Sequence, residues 1–199
     1  MTYRCLIYCD IIIPKVLSNR VRYAILLTYF ITLTGDADKM DGYIFSLAEY
    51  DDIPEIVGIY QSLIGTPGCT WDSEYPNRES AEYDLGNKSL YILKKDDKII
   101  AVATAADYGE LGHLPWAPEK PCELYRIGVV PTMQNQGVGT MILRNIIKTV
   151  EEKGFDGIRM IVSKTNPAAL ALYDKNGFER CGEVSMFDMD WYCYQIKLN

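Results

Sequence analysis

The chain has 199 residues, a length for one domain or one domain with an appendage. Hydrophobic residues make up 48% and charged residues 24%, which excludes a largely disordered chain, a collagen-like repeat and a coiled coil. The 20 basic and 27 acidic residues leave a net charge of -7. No basic stripe speaks for nucleic acid, and the balance suits a neutral or cationic partner.

The first 39 residues stand apart. They carry five basic residues against three acidic ones, whereas 40–199 carry 15 against 24. Tyr23–Leu33 is uncharged, but its eleven residues fall short of the ~20 that a membrane span requires. Gly35-Asp36-Ala37-Asp38 makes a poor signal-cleavage site. From Met40 the chain reads Asp41-Gly42-Tyr43-Ile44-Phe45, like the opening of a domain. Gly35-Asp36 can be encoded by a ribosome-binding sequence at a suitable distance before the Met40 codon. The expectation is an extension over 1–39, an over-extended gene start, ahead of one domain over 40–199. No membrane contact is expected.

Six cysteines stand at 5, 9, 69, 122, 181 and 193, and His113 is the only histidine. No C-x-x-C pair and no His/Cys metal set results, so no metal is expected. Cys122 and Cys181 lie in or beside apolar runs and read as free thiols of a reducing, cytoplasmic setting.

Along the domain, Tyr43–Leu47 is a short β-rich run. Asp51-Asp52-Ile53-Pro54 opens a helix with acids and proline in its first turn. Its apolar residues Ile53, Ile56, Val57, Tyr60 and Leu63 recur at helical spacing, and Gly65-Thr66-Pro67-Gly68 stops it. Trp71–Asn77 is an aromatic, acidic loop, and Glu79–Leu85 a second helix. Leu90–Leu93 and Ile99–Ala105 are strands joined by a turn at Lys95–Lys98. A long loop fills Asp107–Pro121, and Glu123–Val130 is a strand. Gly137–Lys153 is a helix closed by Gly154, Ile158–Val162 a strand, and Pro167–Asn176 a helix closed by Gly177. Glu183–Phe187 and Trp191–Lys197 are the last strands. The order β-α-α-β-β-β-α-β-α-β-β predicts an α/β (α+β) sandwich around a mixed sheet flanked by helices.

One stretch carries chemistry. After the Glu123–Val130 strand and Pro131, Gln134-Asn135-Gln136-Gly137-Val138-Gly139-Thr140 opens a long helix. Glycines admit close approach to the backbone, and the first amides of a helix lack internal partners, which together make an anion site suited to phosphate. A Walker loop would need Gly-Lys-Ser/Thr, and a dinucleotide fingerprint G-x-G-x-x-G after the first strand; both are absent.

This stretch resembles the hallmark Gln/Arg-x-x-Gly-x-Gly/Ala of the GNAT superfamily of acyl-CoA-dependent N-acetyltransferases, with the preceding strand end at Val129-Val130-Pro131. The family's second motif, Asn-x-x-Ala-x-x-Leu-Tyr-x-x-x-Gly-Phe, is matched by Asn166 through Ala169, Leu172 and Tyr173 to Gly177 and Phe178. The resemblance covers about 40–199 and implies a mostly antiparallel central sheet, with acetyl-CoA as co-substrate. By the same resemblance, the backbone of Ile127, Gly128 and Val129 would pair with the pantetheine arm like an added strand. The amides of Asn135–Thr140, beside Gln134, would hold the pyrophosphate. Asn166 would bond the pantetheine arm, and Tyr173 would lie near the thioester sulfur.

The reaction has three needs. A protonated amine must lose its proton, a cost of ~4 kcal/mol for a pKa of ~10.4 at neutral pH. The oxygen that gains charge needs a donor, for which a backbone amide of Ile127–Val129 is the candidate. The leaving thiolate needs a proton, which a phenol such as Tyr173 can give. Glu123 is the candidate base: it precedes Gln134 by eleven residues, as does the base in the family's histone-acetylating branch. Simple alternation puts it on one strand face with Tyr125, Ile127 and Val129. Its alternative is a carboxylate paired with Arg126 or Arg159. His113, in a loop, reads as solvent-exposed.

For the acceptor, Trp71, Glu74 and Tyr75 are the candidate contacts, since aromatic walls and carboxylates suit a cationic amine. The long loops at 66–78 and 107–121 resemble walls rather than an open groove. The favoured reading is direct transfer of acetyl to the primary amine of a small molecule. The alternatives are a protein N-terminal or lysine acetyltransferase, or a non-catalytic acyl-CoA sensor. A homodimer through the last strands is a further expectation, though no residue specifies it.

Overall fold

The computed structural model describes residues 42–198, so the extension expected over 1–39 lies outside the described residues. In chain order the elements are β1 (Tyr43–Leu47), α1 (Ile53–Leu63), α2 (Arg78–Gly86), β2 (Leu90–Lys95), β3 (Lys98–Ala106), β4 (Pro121–Val129), α3 (Val138–Glu152), β5 (Gly157–Ser163), α4 (Pro167–Lys175), β6 (Glu179–Met186) and β7 (Met189–Lys197). The strands form one seven-stranded sheet in the order β1-β2-β3-β4-β5-β7-β6. Every neighbouring pair is antiparallel except β4 and β5. This is the mixed sheet that the order of elements predicts, and it is mostly antiparallel, as the family resemblance implies.

Two cores lie on the two faces, and strand alternation sorts residues between them. On β2, Tyr91 and Leu93 join the core of α3 and α4, while Leu90 and Ile92 join that of α1. On β3, Ala101 and Ala103 take the first side and Val102 the second, and Ile99 joins the second because the β2–β3 register shifts by one residue at Ile100. Helix α1 starts on Pro54 and buries Ile53, Ile56, Ile59, Tyr60 and Leu63; Glu55 ties it to the sheet by accepting the Ile99 N–H at 2.9 Å. Helix α3 turns the stripe Val138, Ile142, Leu143, Ile146 and Val150 inward, the amphipathic pattern of a helix that covers a sheet.

Three strands begin two or more residues earlier than the sequence predicts. Strand β4 starts at Pro121 rather than Glu123, β6 at Glu179 rather than Glu183, and β7 at Met189 rather than Trp191. In β6 the register slips between Arg180 and Gly182, so one extra residue, Cys181, is absorbed and the alternation that marks a strand is hidden.

A second bulge changes the face of every later residue on β4. Val102 opposes Gly128 but Thr104 opposes Tyr125, so three steps of β4 match two of β3. The extra residue is Arg126, whose φ of 46° is left-handed. Cys122, Leu124, Ile127 and Val129 consequently share the α3 core. Gly128 instead lies under Leu63 of α1 and Trp71. The alternation expected from the sequence is thereby corrected: Glu123 and Tyr125 share a face, and Ile127 and Val129 take the other. Alternation assumes one residue per step, and a bulge breaks that assumption.

Candidate active site

Strands β4 and β5 pair only over Pro121–Glu123 and Gly157–Arg159. Beyond that, β4 runs on to Val129 and β5 to Ser163 without pairing to each other. The β5-facing edge of Leu124–Val129 is therefore outside any ladder, an open strand edge that can accept an added chain. Backbone polar groups need partners, and one is supplied locally: Gln134 Nε2 donates to the Val129 carbonyl at 3.1 Å.

The splayed edge leads to the glycine-bearing loop. Pro131–Met133 forms one 3-10 turn, closed by Met133 N–H to the Val130 carbonyl at 2.8 Å. Asn135 and Gly137 then adopt left-handed φ of 59° and 85°. Gly137 is the N-cap of α3 and offers no side-chain cap. The first amides of α3, at Val138, Gly139 and Thr140, thus lack intrahelical acceptors. Residues 134–137 are exposed, and a Cβ at Gly137 would meet nothing within 4 Å. At Gly139, where α3, α4 and β4 converge, the added Cβ would lie 3.4 Å from Leu172 and 3.9 Å from Val129, ordinary contact distances. Unpartnered amides, open space and a helix N-terminus fit a pyrophosphate.

Helix α4 brings Asn166 and Tyr173. Asn166 caps the helix: its Oδ1 accepts the Ala169 N–H at 3.0 Å. The α1–α2 loop rests on it, since a Cβ at Gly68 would come within 2.8 Å of the Asn166 Cα. Tyr173 is 3% exposed, with Phe178 and Tyr194 rings centred 5.6 and 6.1 Å away. Burial pushes its phenol above the ordinary tyrosine range, so it is protonated at neutral pH.

Glu123 is fully buried. Its Oε1 accepts from Arg159 Nε at 2.9 Å, Arg159 Nη2 at 2.5 Å and the Leu111 N–H at 2.9 Å, and its Oε2 accepts from the Tyr125 hydroxyl. The ion pair spans the last step at which β4 and β5 are paired, so it fixes the apex of the splay. It also anchors the long loop at 107–120, where Trp116 Nε1 donates to the Leu111 carbonyl at 2.7 Å. Of the two arginines that the sequence offers to Glu123, Arg159 is the partner. Burial first, then the Glu123 carboxylate, raises the Tyr125 phenol. His113 is exposed on this loop.

Arg126 pairs elsewhere. It grips Asp84 of α2 with Nε at 2.8 Å and Nη2 at 2.6 Å, and reaches the Tyr75 hydroxyl with Nη1 at 2.6 Å. Burial works to lower the guanidinium pKa, but the hydrogen bonds and charge of Asp84 outweigh it and raise it. Asp84 also accepts from Thr104 at 2.6 Å and Tyr108 at 3.0 Å. Of the three expected acceptor contacts, Trp71 packs on Gly128, and Tyr75 joins Arg126. Glu74 stays on the exposed turn held by Asp72, with a local bond from Ser73 at 3.4 Å.

The sequence does not single out Tyr60, Asp84 or Arg126 as site residues. Asp84 carries one signal, an acid three places after Ala81 on the buried side of α2. Its burial rests on Arg126, 42 residues away in sequence.

A sequence model described as "Acetyltransferase (GNAT) family" matches residues 56–178. Among curated proteins the chain is 24% identical over 159 residues to "Putative phosphinothricin acetyltransferase YwnH" of Bacillus subtilis, covering 76% of this chain and 94% of that one. It is 38% identical over 55 residues to the ribosomal protein bS18-alanine N-acetyltransferase of Escherichia coli, covering 28% of this chain and 37% of that protein. Among solved structures, a GNAT-family acetyltransferase of Streptococcus agalactiae superposes with a TM-score of 0.67 at 17% identity, over 80% of this chain and 97% of that one. The yncA protein of Salmonella typhimurium, solved with its cofactor acetyl-CoA, gives 0.63 at 17% identity, over 80% and 95%.

Proposed function

Because the chain belongs to the GNAT acetyltransferase family, we propose that it acetylates the primary amine of a small molecule by direct transfer within a ternary complex. The family uses acetyl-CoA, and the chain is an acyltransferase. The observation that carries the reading is the splay of β4 from β5, open along Leu124–Val129 and ending on the exposed residues 134–137 and the first amides of α3.

When bound, acetyl-CoA supplies the acetyl thioester. The β4 edge at Ile127–Val129 would align the pantetheine arm, and a backbone amide there would hold the carbonyl oxygen as it gains charge. The amides of Asn135–Thr140, with Gln134 bracing Val129, would hold the pyrophosphate, and Asn166 would use its Nδ2 donors on the arm while Oδ1 caps α4. Tyr173, kept protonated by burial, would give the proton that the leaving sulfur needs. Glu123 would act as base through Tyr125. Tyr125 Oη takes the amine's proton, by way of water, as it hands its own to Glu123 Oε2 along the hydrogen bond already present.

A small acceptor is supported by the way the two long loops are tied down beside β4. Trp71 lies on Gly128, Tyr75 is tied to Arg126, and the 107–120 loop is anchored at both Glu123 and Gln195, whose Oε1 accepts the Ala117 N–H at 2.9 Å. A cytoplasmic setting is supported by the free thiols Cys69, Cys122, Cys181 and Cys193. Among the described residues no helix is long and apolar enough to cross a membrane.

Thermal unfolding of the full chain with and without acetyl-CoA tests the reading. At a hundredfold its dissociation constant a ligand adds ~2.7 kcal/mol, a rise of several degrees for a chain of this size. No rise in a folded sample removes the splay as an acetyl-CoA site, and the enzyme reading falls with it.

A further inference from the structure

Hydrogen-bond capacity at the β4 bulge is unevenly used. Asp84, fully buried, accepts four bonds: Tyr108 and Arg126 Nη2 on Oδ1, Thr104 and Arg126 Nε on Oδ2. It has nothing left for a ligand's ammonium. Arg126 has five N–H donors. Three are engaged by Asp84 and Tyr75, so one remains on each Nη nitrogen. Tyr75 accepts from Arg126, which leaves its own hydroxyl proton to give, and the residue is 46% exposed.

Tyr60 completes the set. It is 0% exposed, and among the described residues its hydroxyl is the buried side-chain polar atom without a hydrogen-bond partner. Native structures rarely leave such a group unmatched. The Tyr60 ring meets the edge of Trp71 at 5.4 Å, and Trp71 lies on Gly128. The Tyr60–Trp71–Gly128 contacts bring the ring up to the β4 bulge, and the charges of Asp84 and Arg126 act on its hydroxyl beneath the larger effect of burial. What is unused around the bulge is therefore donor capacity.

We propose that Arg126, Tyr75 and Tyr60 form a subsite for the carboxylate of an amino-acid acceptor. Two free N–H groups on a guanidinium match the two oxygens of a carboxylate, and the two phenols add neutral donors. Arg126 immediately precedes Ile127 and Gly128, the part of β4 assigned to the acetyl site. A carboxylate at the bulge thus lies a short chain away from an amine presented to that strand, which is the geometry of an α-amino acid. This subsite deepens the small-molecule reading and rests on it. It also departs from the expectation that carboxylates here receive a cationic amine, because Asp84, the buried acid beside Arg126, is saturated.

The test uses the full chain, a panel of the standard α-amino acids and the matching α-amides. Binding is read by titration calorimetry and by thermal shift, and turnover with acetyl-CoA gives KM. The expected result is that at least one amino acid binds and is acetylated with a KM about tenfold or more below that of its amide. Tyr75→Phe and Tyr60→Phe should each collapse that ratio toward one. Tyr60→Phe should do so with an unfolding midpoint equal to or above the parent's, since the lost hydroxyl has no protein partner. Equal use of acid and amide overturns the proposal and points to a peptide N-terminus. Acetyl-CoA binding with no amino acid bound also overturns it and leaves only water in the subsite. A ratio unmoved by both variants does the same. Amino-acid binding that depends on Tyr75 supports the subsite even where acetyl-CoA gives no shift, so the two readings fail separately.

Discussion

The two sides of the cleft are made of different material. The side proposed for the cofactor is backbone: the unpaired edge of Leu124–Val129, the left-handed Asn135 and Gly137, and the first amides of α3. The side proposed for the acceptor is side chains from four separate segments, Tyr60 on α1, Trp71 and Tyr75 on the loop, Asp84 on α2 and Arg126 on β4. Backbone recognition tolerates almost any sequence that keeps its φ angles, so one fold can hold one cofactor across many chains. Side-chain recognition depends on pairs that are far apart in sequence, and it is where chains of one fold come to differ in acceptor.

The largest expected effect breaks the acceptor side. Asp84→Asn leaves the Arg126 guanidinium, whose side chain is 10% exposed, without its counter-charge. Removing one partner of a buried pair costs about 3–5 kcal/mol, a large part of a typical total of about 5–15. Urea unfolding should show that loss. The double variant Asp84→Asn with Arg126→Gln should lose less than the sum of the two singles, because the stranded charge is gone. A single-variant loss below about 1 kcal/mol would mean that the pair does not hold α2 to β4.

Next come the two phenols, with the fold retained. Tyr125→Phe keeps the Glu123–Arg159 pair but cuts the path from the cleft to the carboxylate. Glu123→Gln is the poorer probe, since it strands Arg159 in the interior. Proton-transfer groups contribute about 10²–10⁴-fold, so kcat should fall at least about a hundredfold. An unchanged kcat takes Glu123 out of the reaction. Tyr173→Phe should lower kcat on the same scale while calorimetry finds the same affinity for acetyl-CoA. The folded Tyr173 phenol is raised, so the proton-bearing form is present below that value. Tyr173 therefore contributes no falling limb to the rate between pH 7 and 9; a limb there that Tyr173→Phe abolishes would contradict its burial.

A smaller effect probes the backbone side. Gly137→Ala meets no atom within 4 Å, so any cost comes from φ alone, about 1–2 kcal/mol for an L-residue held left-handed. Either the unfolding midpoint falls by that amount or the loop relaxes and acetyl-CoA binds more weakly. Gly139→Ala, whose Cβ would stand at ordinary contact from Leu172, should do less of both. Equal effects at the two glycines would mean that the left-handed turn is not what shapes the loop.

This contrast also explains what was legible in the sequence. Gly137, Gly139 and the Asn166–Phe178 run mark the cofactor side because glycine, caps and spacing are local signals. The strands were legible from their apolar runs, since β2 and β3 bury both faces. Alternation failed at Arg126, because a bulge adds a residue without any local mark, and so the faces of Ile127 and Val129 were reversed. Asp84 and Tyr60 were illegible as site residues for a related reason: one reads as a helix acid and the other as a core aromatic until Arg126 and Trp71 are brought to them.

Asn166 is where the two materials meet, and it carries the smallest effect. Its Oδ1 accepts from the Ala169 N–H, a structural duty, while its Nδ2 is the group assigned to the pantetheine arm. Alanine removes both, with a cap loss of about 1 kcal/mol and weaker acetyl-CoA binding. Asn166→Asp separates them. Aspartate caps as well as asparagine, and its charge favours the helix N-terminus, so the unfolding midpoint should hold or rise. It offers no N–H donor, so acetyl-CoA affinity should still fall toward that of the alanine variant. If Asn166→Asp binds acetyl-CoA as tightly as the parent, the residue serves α4 alone, and the arm is held by the edge of β4 without help from any side chain of α4's first turn.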